Sequence, residues 1–192
     1  MTATASPLAT KRWTYDDLLE LPDDDKRYEI LDGELFVNAA PIPRHQLIVM
    51  KIAARLFDYL ESHGSGQVFG AAVDVLLADG SVLQPDVVVI KSDRASIIGP
   101  KNIEGPPHLC IEVLSDSTRR RDEIIKRKLY ERGGVDEYWI VDPELELVKI
   151  YRRAEAGAPF QRVAEISTET GGAITTPLLP AFTLDVADVF RT

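Results

Sequence analysis

"HLCIEVLSDST", residues 108–118, is the stretch on which the reading of this chain turns. Leu109, Cys110, Ile111, Val113 and Leu114 make a short apolar run of the kind that forms a buried strand, and Glu112 stands in its middle. Alternation puts Glu112 on the face shared with Cys110 and Leu114, away from Leu109, Ile111 and Val113. An unpaired carboxylate there costs several kcal/mol, so something must hold it. A buried ion pair with an arginine is one answer. A bound cation is the other.

Working outward, Ser115, Ser117 and Thr118 offer N-caps for a helix over the basic run "RRRDEIIKRKLYER", residues 119–132, which stops near Gly133-Gly134. "EYWIVDP" and "ELVKIYRR" read as two further strands, followed by weaker β segments. Upstream, "RYEILDGELFVN" is a hairpin turning at Asp32-Gly33. Ile48, Ile52, Leu56 and Tyr59 recur at helical spacing between His45 and Ser62, with Gly64 as the stop. "QVFGAAVDVLL" and "SVLQPDVVVI" suggest a second hairpin. The expected fold is α/β, a central mixed β-sheet flanked by α-helices. A tail over residues 1–12 would precede a single domain over 13–192.

The bulk properties suit that plan. The chain has 192 residues, 45% of them hydrophobic, enough for a sizeable core. One cysteine, Cys110, rules out an internal disulfide and fits a reducing compartment. No leader-like apolar segment and no run of membrane-spanning length is present, so a cytoplasmic protein without a membrane partner is expected. The net charge of −9 argues against a broadly basic nucleic-acid binder. Residues 119–132 nevertheless hold seven Lys or Arg against three acids. They form either a solvated helix face or a phosphate-facing patch.

Asp86 follows Pro85 at the mouth of the apolar strand "VVVI" and by itself reads as a strand-entry turn residue. Asp74, in "AAVDVLL", is its rival as an inward carboxylate. Two carboxylates from neighbouring strands repel unless a cation lies between them. Mg²⁺ or Mn²⁺ uses few protein carboxylates and leaves room for a phosphate oxygen. Glu29, His45 and Tyr130 are candidates for further site residues; the plainer reading of Glu29 is a hairpin surface charge, and that of His45 a polar first-turn residue. Tyr138 and Trp139 read as core.

The order "RYEILDGEL", "PIPRH", "QPDVVVI", "CIEVLS", "TRRRDEIIKRKLY" and "GGVDEYWIVDP" resembles the Uma2 family (DUF820), restriction-endonuclease-like proteins of the PD-(D/E)XK nuclease superfamily. The resemblance runs over about residues 13 to 152. It implies that Asp86 and Glu112 bind a Mg²⁺ or Mn²⁺ ion, with the Val113 backbone carbonyl completing the coordination. The superfamily's strand lysine is absent, because Leu114 holds that position. The family expects a lysine from the following helix instead. On an ideal helix with Ile125 and Leu129 as the buried stripe, Lys126 and Lys128 flank it equally, and periodicity cannot choose between them. The resemblance selects Lys126, with Asp122 and Tyr130 at four-residue steps. Arg119, Arg120, Arg121 and Lys128 would then grip the backbone of DNA, and cutting both strands suggests a homodimer. The rival reading is a non-catalytic nucleic-acid-binding or regulatory protein on the same fold. A metal-free acid/base hydrolase acting on sugars is a third, for which the 7% aromatic content offers little support.

Overall fold

The computed structural model describes residues 11–191 apart from 23 and 25, so the first ten residues of the expected tail lie outside the described residues. After a short helix α1 (Tyr15–Leu19), two alternating runs form the hairpin β1 (Arg27–Leu31) and β2 (Glu34–Asn38). Asp32 and Gly33 both take positive φ, 56° and 84°. This is the tight turn whose twist matches the paired strands, and it sets Leu31 opposite Glu34.

Helix α2 (Pro43–His63) starts on a proline, whose missing N–H is no loss in the first turn. The expected stripe is buried at Ile48, Ile52 and Leu56. Leu60 completes it in place of Tyr59, which is half-buried and donates its hydroxyl to the Pro180 carbonyl.

The second hairpin forms, but its arms divide between two sheets. Their bases, β3 (Gly66–Gly70) and β6 (Val87–Lys91), pair antiparallel. Their ends, β4 (Val75–Leu76) and β5 (Val82–Leu83), pair separately and join the first hairpin. With β7 (Ile103–Glu104), they give a five-stranded sheet in the order β2-β1-β5-β4-β7.

The central sheet has six strands. The run around Glu112 is β8 (Leu109–Val113), buried at every residue. It lies antiparallel to β6 and parallel to β9 (Glu137–Asp142), and β10 (Leu147–Arg152) and β11 (Gln161–Ser167) extend the sheet to the order β11-β10-β9-β8-β6-β3. A last small pair, β12 (Ala173–Ile174) and β13 (Leu184–Asp185), leads into a short helix at Val186–Phe190. The mixed sheet flanked by helices agrees with the expected fold class.

Alternation along β8 splits the core as predicted. Leu109, Ile111 and Val113 pack with α2 and the C-terminal helix on one face. Cys110 and Leu114 pack on the other with the five-stranded sheet and with Leu129 and Tyr130 of the basic helix. Tyr138 and Trp139 are fully buried, one in each core layer.

The basic helix departs from the ideal wheel. Residues Arg121–Lys126 form a π-helical stretch that runs into α3 (Arg127–Gly133). The wider turn changes which side chains face inward. Ile125, expected in the buried stripe, is 37% exposed, whereas Asp122 and Lys126 are buried. Lys128 is exposed. The register of the helix therefore separates the two lysines that the spacing could not.

Gly66 opposes Lys91 at the open end of the β3–β6 ladder, and a Cβ there would lie 2.4 Å from the Ile90 carbonyl oxygen. Backbone cannot yield as a side-chain tip can. Gly66→Ala should lower the unfolding free energy by about 1–3 kcal/mol, the usual cost of overpacking, in urea titrations.

Candidate active site

The β6–β8 register pairs Val87 with Ile111, and one step further it sets Asp86 opposite Glu112 on the same sheet face. Both carboxylates line a cavity of about 410 Å³ at the end of these strands. Asp86 is locked in place: its Oδ2 accepts the Val113 backbone N–H at 2.8 Å and lies 3.2 Å from His45 Nε2. Arg27 Nη1 stands 4.0 Å from the other oxygen. The N–H and C=O of one strand residue point to the same side, so the Val113 carbonyl faces the Asp86 edge of β8. His45, in the first turn of α2, is buried, and its Nδ1 has no hydrogen-bond partner among the described residues.

The partner of Glu112 is a lysine, not an arginine. Glu112 Oε1 accepts from Lys126 Nζ at 2.9 Å and from the Tyr130 hydroxyl at 2.8 Å. Both bonds end on Oε1, and among the described residues Oε2 has none. Lys126 also reaches Glu29 Oε1 at 2.8 Å and Asp122 Oδ1 at 3.5 Å. Glu29 is no hairpin surface charge: it is fully buried. Its Oε1 accepts the Gln84 backbone N–H, and its Oε2 accepts Asn38 Nδ2. Asp74, the rival of Asp86, is bound to the Gln84 side chain and does not line the cavity.

Three buried carboxyls around one ammonium leave an excess of negative charge, and the proton affinities reflect it. Burial pushes Glu112 well above the ordinary carboxyl range, with Asp122, Asp86 and Glu29 adding to it and Lys126 opposing. Burial also raises Asp122. Burial alone would discharge Lys126, but Glu112, Glu29 and Asp122 outweigh it and hold the ammonium well above its usual value. Burial opposes ionisation of Glu29 too, yet Lys126, Asn38 and the Gln84 amide bring it below the ordinary value. Glu29 is thus the standing counter-ion of Lys126. Glu112 and Asp122 carry the surplus.

The basic residues are unequal. Arg119 forks onto Asp142 and Glu144. Arg121 lies at the cavity wall, bonded to Asn38 Oδ1 and set over the Phe36 ring at 5.3 Å. Arg120 and Lys128 are exposed and make no ion pair among the described residues.

The Uma2 family model, described as "Putative restriction endonuclease", matches residues 15–187. The chain belongs to the Uma2 family. A solved structure described as "a putative nuclease belonging to DUF820 from Anabaena variabilis ATCC 29413" superposes with a TM-score of 0.77 at 19% identity, covering 93% of this chain and 97% of that one. That likeness shows a shared fold. No curated protein sequence matches the chain. Uma2 membership supports a nuclease, acting on nucleic acid, as the class of activity.

Within this Uma2 chain, Leu114 closes the core beneath Glu112, and Lys126 delivers its ammonium to Glu112 from the helix. Arg27, Asn38 and Gln84 are neighbours of the site that sequence patterns did not reveal. For Gln84 a signal existed, since it directly precedes Pro85-Asp86. For Asn38, the last residue of an ordinary-looking strand, none did.

Removing the ammonium would leave Glu29, Glu112 and Asp122 facing one another in a buried volume. Lys126→Ala should therefore lower stability by about 3–5 kcal/mol at pH 7 without divalent metal. The same measurement at pH 5 should show a smaller loss. Lys126 lowers the pKa of all three carboxyls, so without it Glu112 and Asp122 rise further and Glu29 loses the cation that held it down. The added penalty is full at high pH and fades as these groups take up protons.

Proposed function

We propose that this protein is a divalent-metal-dependent endonuclease that hydrolyses phosphodiester bonds in DNA. The observation that carries this reading is the opposed pair Asp86 and Glu112 at one cavity, with a buried lysine on the second carboxylate. The donor chemistry fits a hard cation. Two carboxylates, a strand carbonyl and the buried, unpartnered Gln84 Oε1 are all oxygen donors. Among the described residues no group of three or more His, Cys, Asp or Glu side chains is arranged to hold a metal ion. Mg²⁺ needs no such cage, because it takes one or two carboxylates and keeps several waters.

Asp86, Glu112 and the Val113 carbonyl would hold the ion. When bound, the metal supplies Lewis acidity toward a phosphate oxygen and acidifies nearby water. The chain does the positioning. The Val113 N–H fixes the Asp86 carboxylate, and Tyr130 steadies Glu112 through Oε1. Lys126 would orient the attacking water or donate to the charge that develops on the phosphoryl oxygens. Arg121 at the cavity wall, with Arg120 and Lys128 outside it, would grip the DNA backbone. Cutting both strands calls for two such sites, which a homodimer would bring.

One observation favours a second reading. Glu112 Oε1 is already satisfied by Lys126 and Tyr130, as in a closed structural polar network. A non-catalytic nucleic-acid-binding protein on this fold would look similar in that respect. Plasmid cleavage separates the two. With Mg²⁺ or Mn²⁺ the protein should relax and linearise supercoiled DNA, a chelator should stop it, and Asp86→Asn and Glu112→Gln should each be inactive while still binding DNA. Cleavage that persists in both variants would sink the metal-site reading, and no cleavage with either ion would favour the binding protein.

Phosphate contacts release counterions, so DNA affinity should fall as salt rises. The double variant Arg120→Ala, Lys128→Ala should flatten the slope of log affinity against log salt by about 1 for each phosphate that is no longer neutralised. Arg119→Ala, whose guanidinium is held by Asp142 and Glu144, should leave the slope nearly unchanged.

A further inference from the structure

A lysine delivered from a helix must be aimed, and the strand that carries Glu112 does not aim it. Lys126 has a long, flexible side chain whose ammonium could follow any of three carboxyls. We propose that Glu29 is the positioning residue of this site, holding Lys126 in place while Glu112 engages the cation, and that Asn38 acts through Glu29. The proposal deepens the nuclease reading and rests on it.

Glu29 differs from the other two acids in how firmly it is held. It lies in mid-strand on β1, fully buried, with both oxygens held by hydrogen bonds besides the contact to Lys126. The Gln84 backbone N–H ends on Oε1 at 2.8 Å and Asn38 Nδ2 on Oε2 at 2.9 Å. The Asn38 amide has a determined orientation, because its Oδ1 accepts from Arg121 and its nitrogen must therefore face Glu29. Glu112, by contrast, would share its charge with a metal, and Asp122 Oδ1 makes no hydrogen bond and reaches Lys126 only at 3.5 Å. Glu29 alone can keep the ammonium in register when Glu112 turns to the ion. Glu29 touches no substrate in this scheme. It acts through Lys126.

The test uses Glu29→Gln, Asn38→Ala and the double variant in the full chain, with duplex DNA and Mn²⁺. Single-turnover cleavage at saturating DNA should fall roughly 10- to 100-fold in Glu29→Gln, the scale of losing a supporting partner. It should fall less in Asn38→Ala, and the double variant should be no slower than Glu29→Gln. DNA affinity of Glu29→Gln should stay within about 2-fold, because Glu29 neither grips the backbone nor touches a residue that does. The side-chain ammonium signal of Lys126 in heteronuclear NMR, read without metal or DNA, should shift or vanish in Glu29→Gln. Rate losses that multiply in the double variant, or an unmoved Lys126 signal, would overturn the proposal. If the wild-type protein cuts no DNA, the nuclease reading falls while the ammonium signal still decides the role of Glu29. If Glu29→Gln does not fold, Asn38→Ala is judged by the same signal.

Discussion

One ammonium group ties the parts of this molecule together. Lys126 leaves the helix that covers the central sheet, meets Glu112 on an inner strand of that sheet, and meets Glu29 on a strand of the five-stranded sheet. Sealed from water, each of these charges is costly alone. Together they are tolerable only in one mutual arrangement of two sheets and a helix. The same arrangement opens a cavity beside Asp86, whose carboxylate is pinned to the next strand by a backbone N–H. The stability problem and the proposed chemistry thus share their atoms.

Much of this is legible in the residues. Glu112 inside an apolar strand is an anomaly that demands a partner, and alternation alone assigns it to the face of Cys110 and Leu114, where it lies. The Asp32-Gly33 turn and most of the α2 stripe follow from local patterns, while the pairing of the strands around Asp86 and Glu112 follows from the shared-cation argument and the family resemblance. The family resemblance supplies what periodicity cannot, the choice of Lys126 over Lys128.

What is not legible depends on two things. The first is the π-helical stretch, since a change in residues per turn leaves no mark in an apolar pattern and shifts the phase of everything before it. An ideal wheel places Ile125 in the core for that reason. The second is contact between distant segments. Glu29 reads equally as a site acid or a hairpin surface charge until β1 is seen beneath the helix, and Asn38 has no local feature at all. Arg119 belongs here too. In the sequence it is one of three like arginines, and only the β9 turn, with Asp142 and Glu144, reveals it as part of a structural fork.

The division of the second hairpin has a consequence for how the site comes into being. One continuous ribbon serves two sheets, and the residues between its two halves are those that contact both Glu29 and the cavity: Gln84 through its backbone, Asp86 through its side chain. No contiguous fragment contains the site. Asn38 and Arg121 are 83 positions apart, and Glu29 and Gln84 are 55 apart. Contacts of such separation carry a loop-closure cost that local turns do not. A chain still emerging or partly unfolded would hold the acids but not the assembled centre. Under the nuclease reading proposed above, hydrolytic competence would arrive only with the assembled fold.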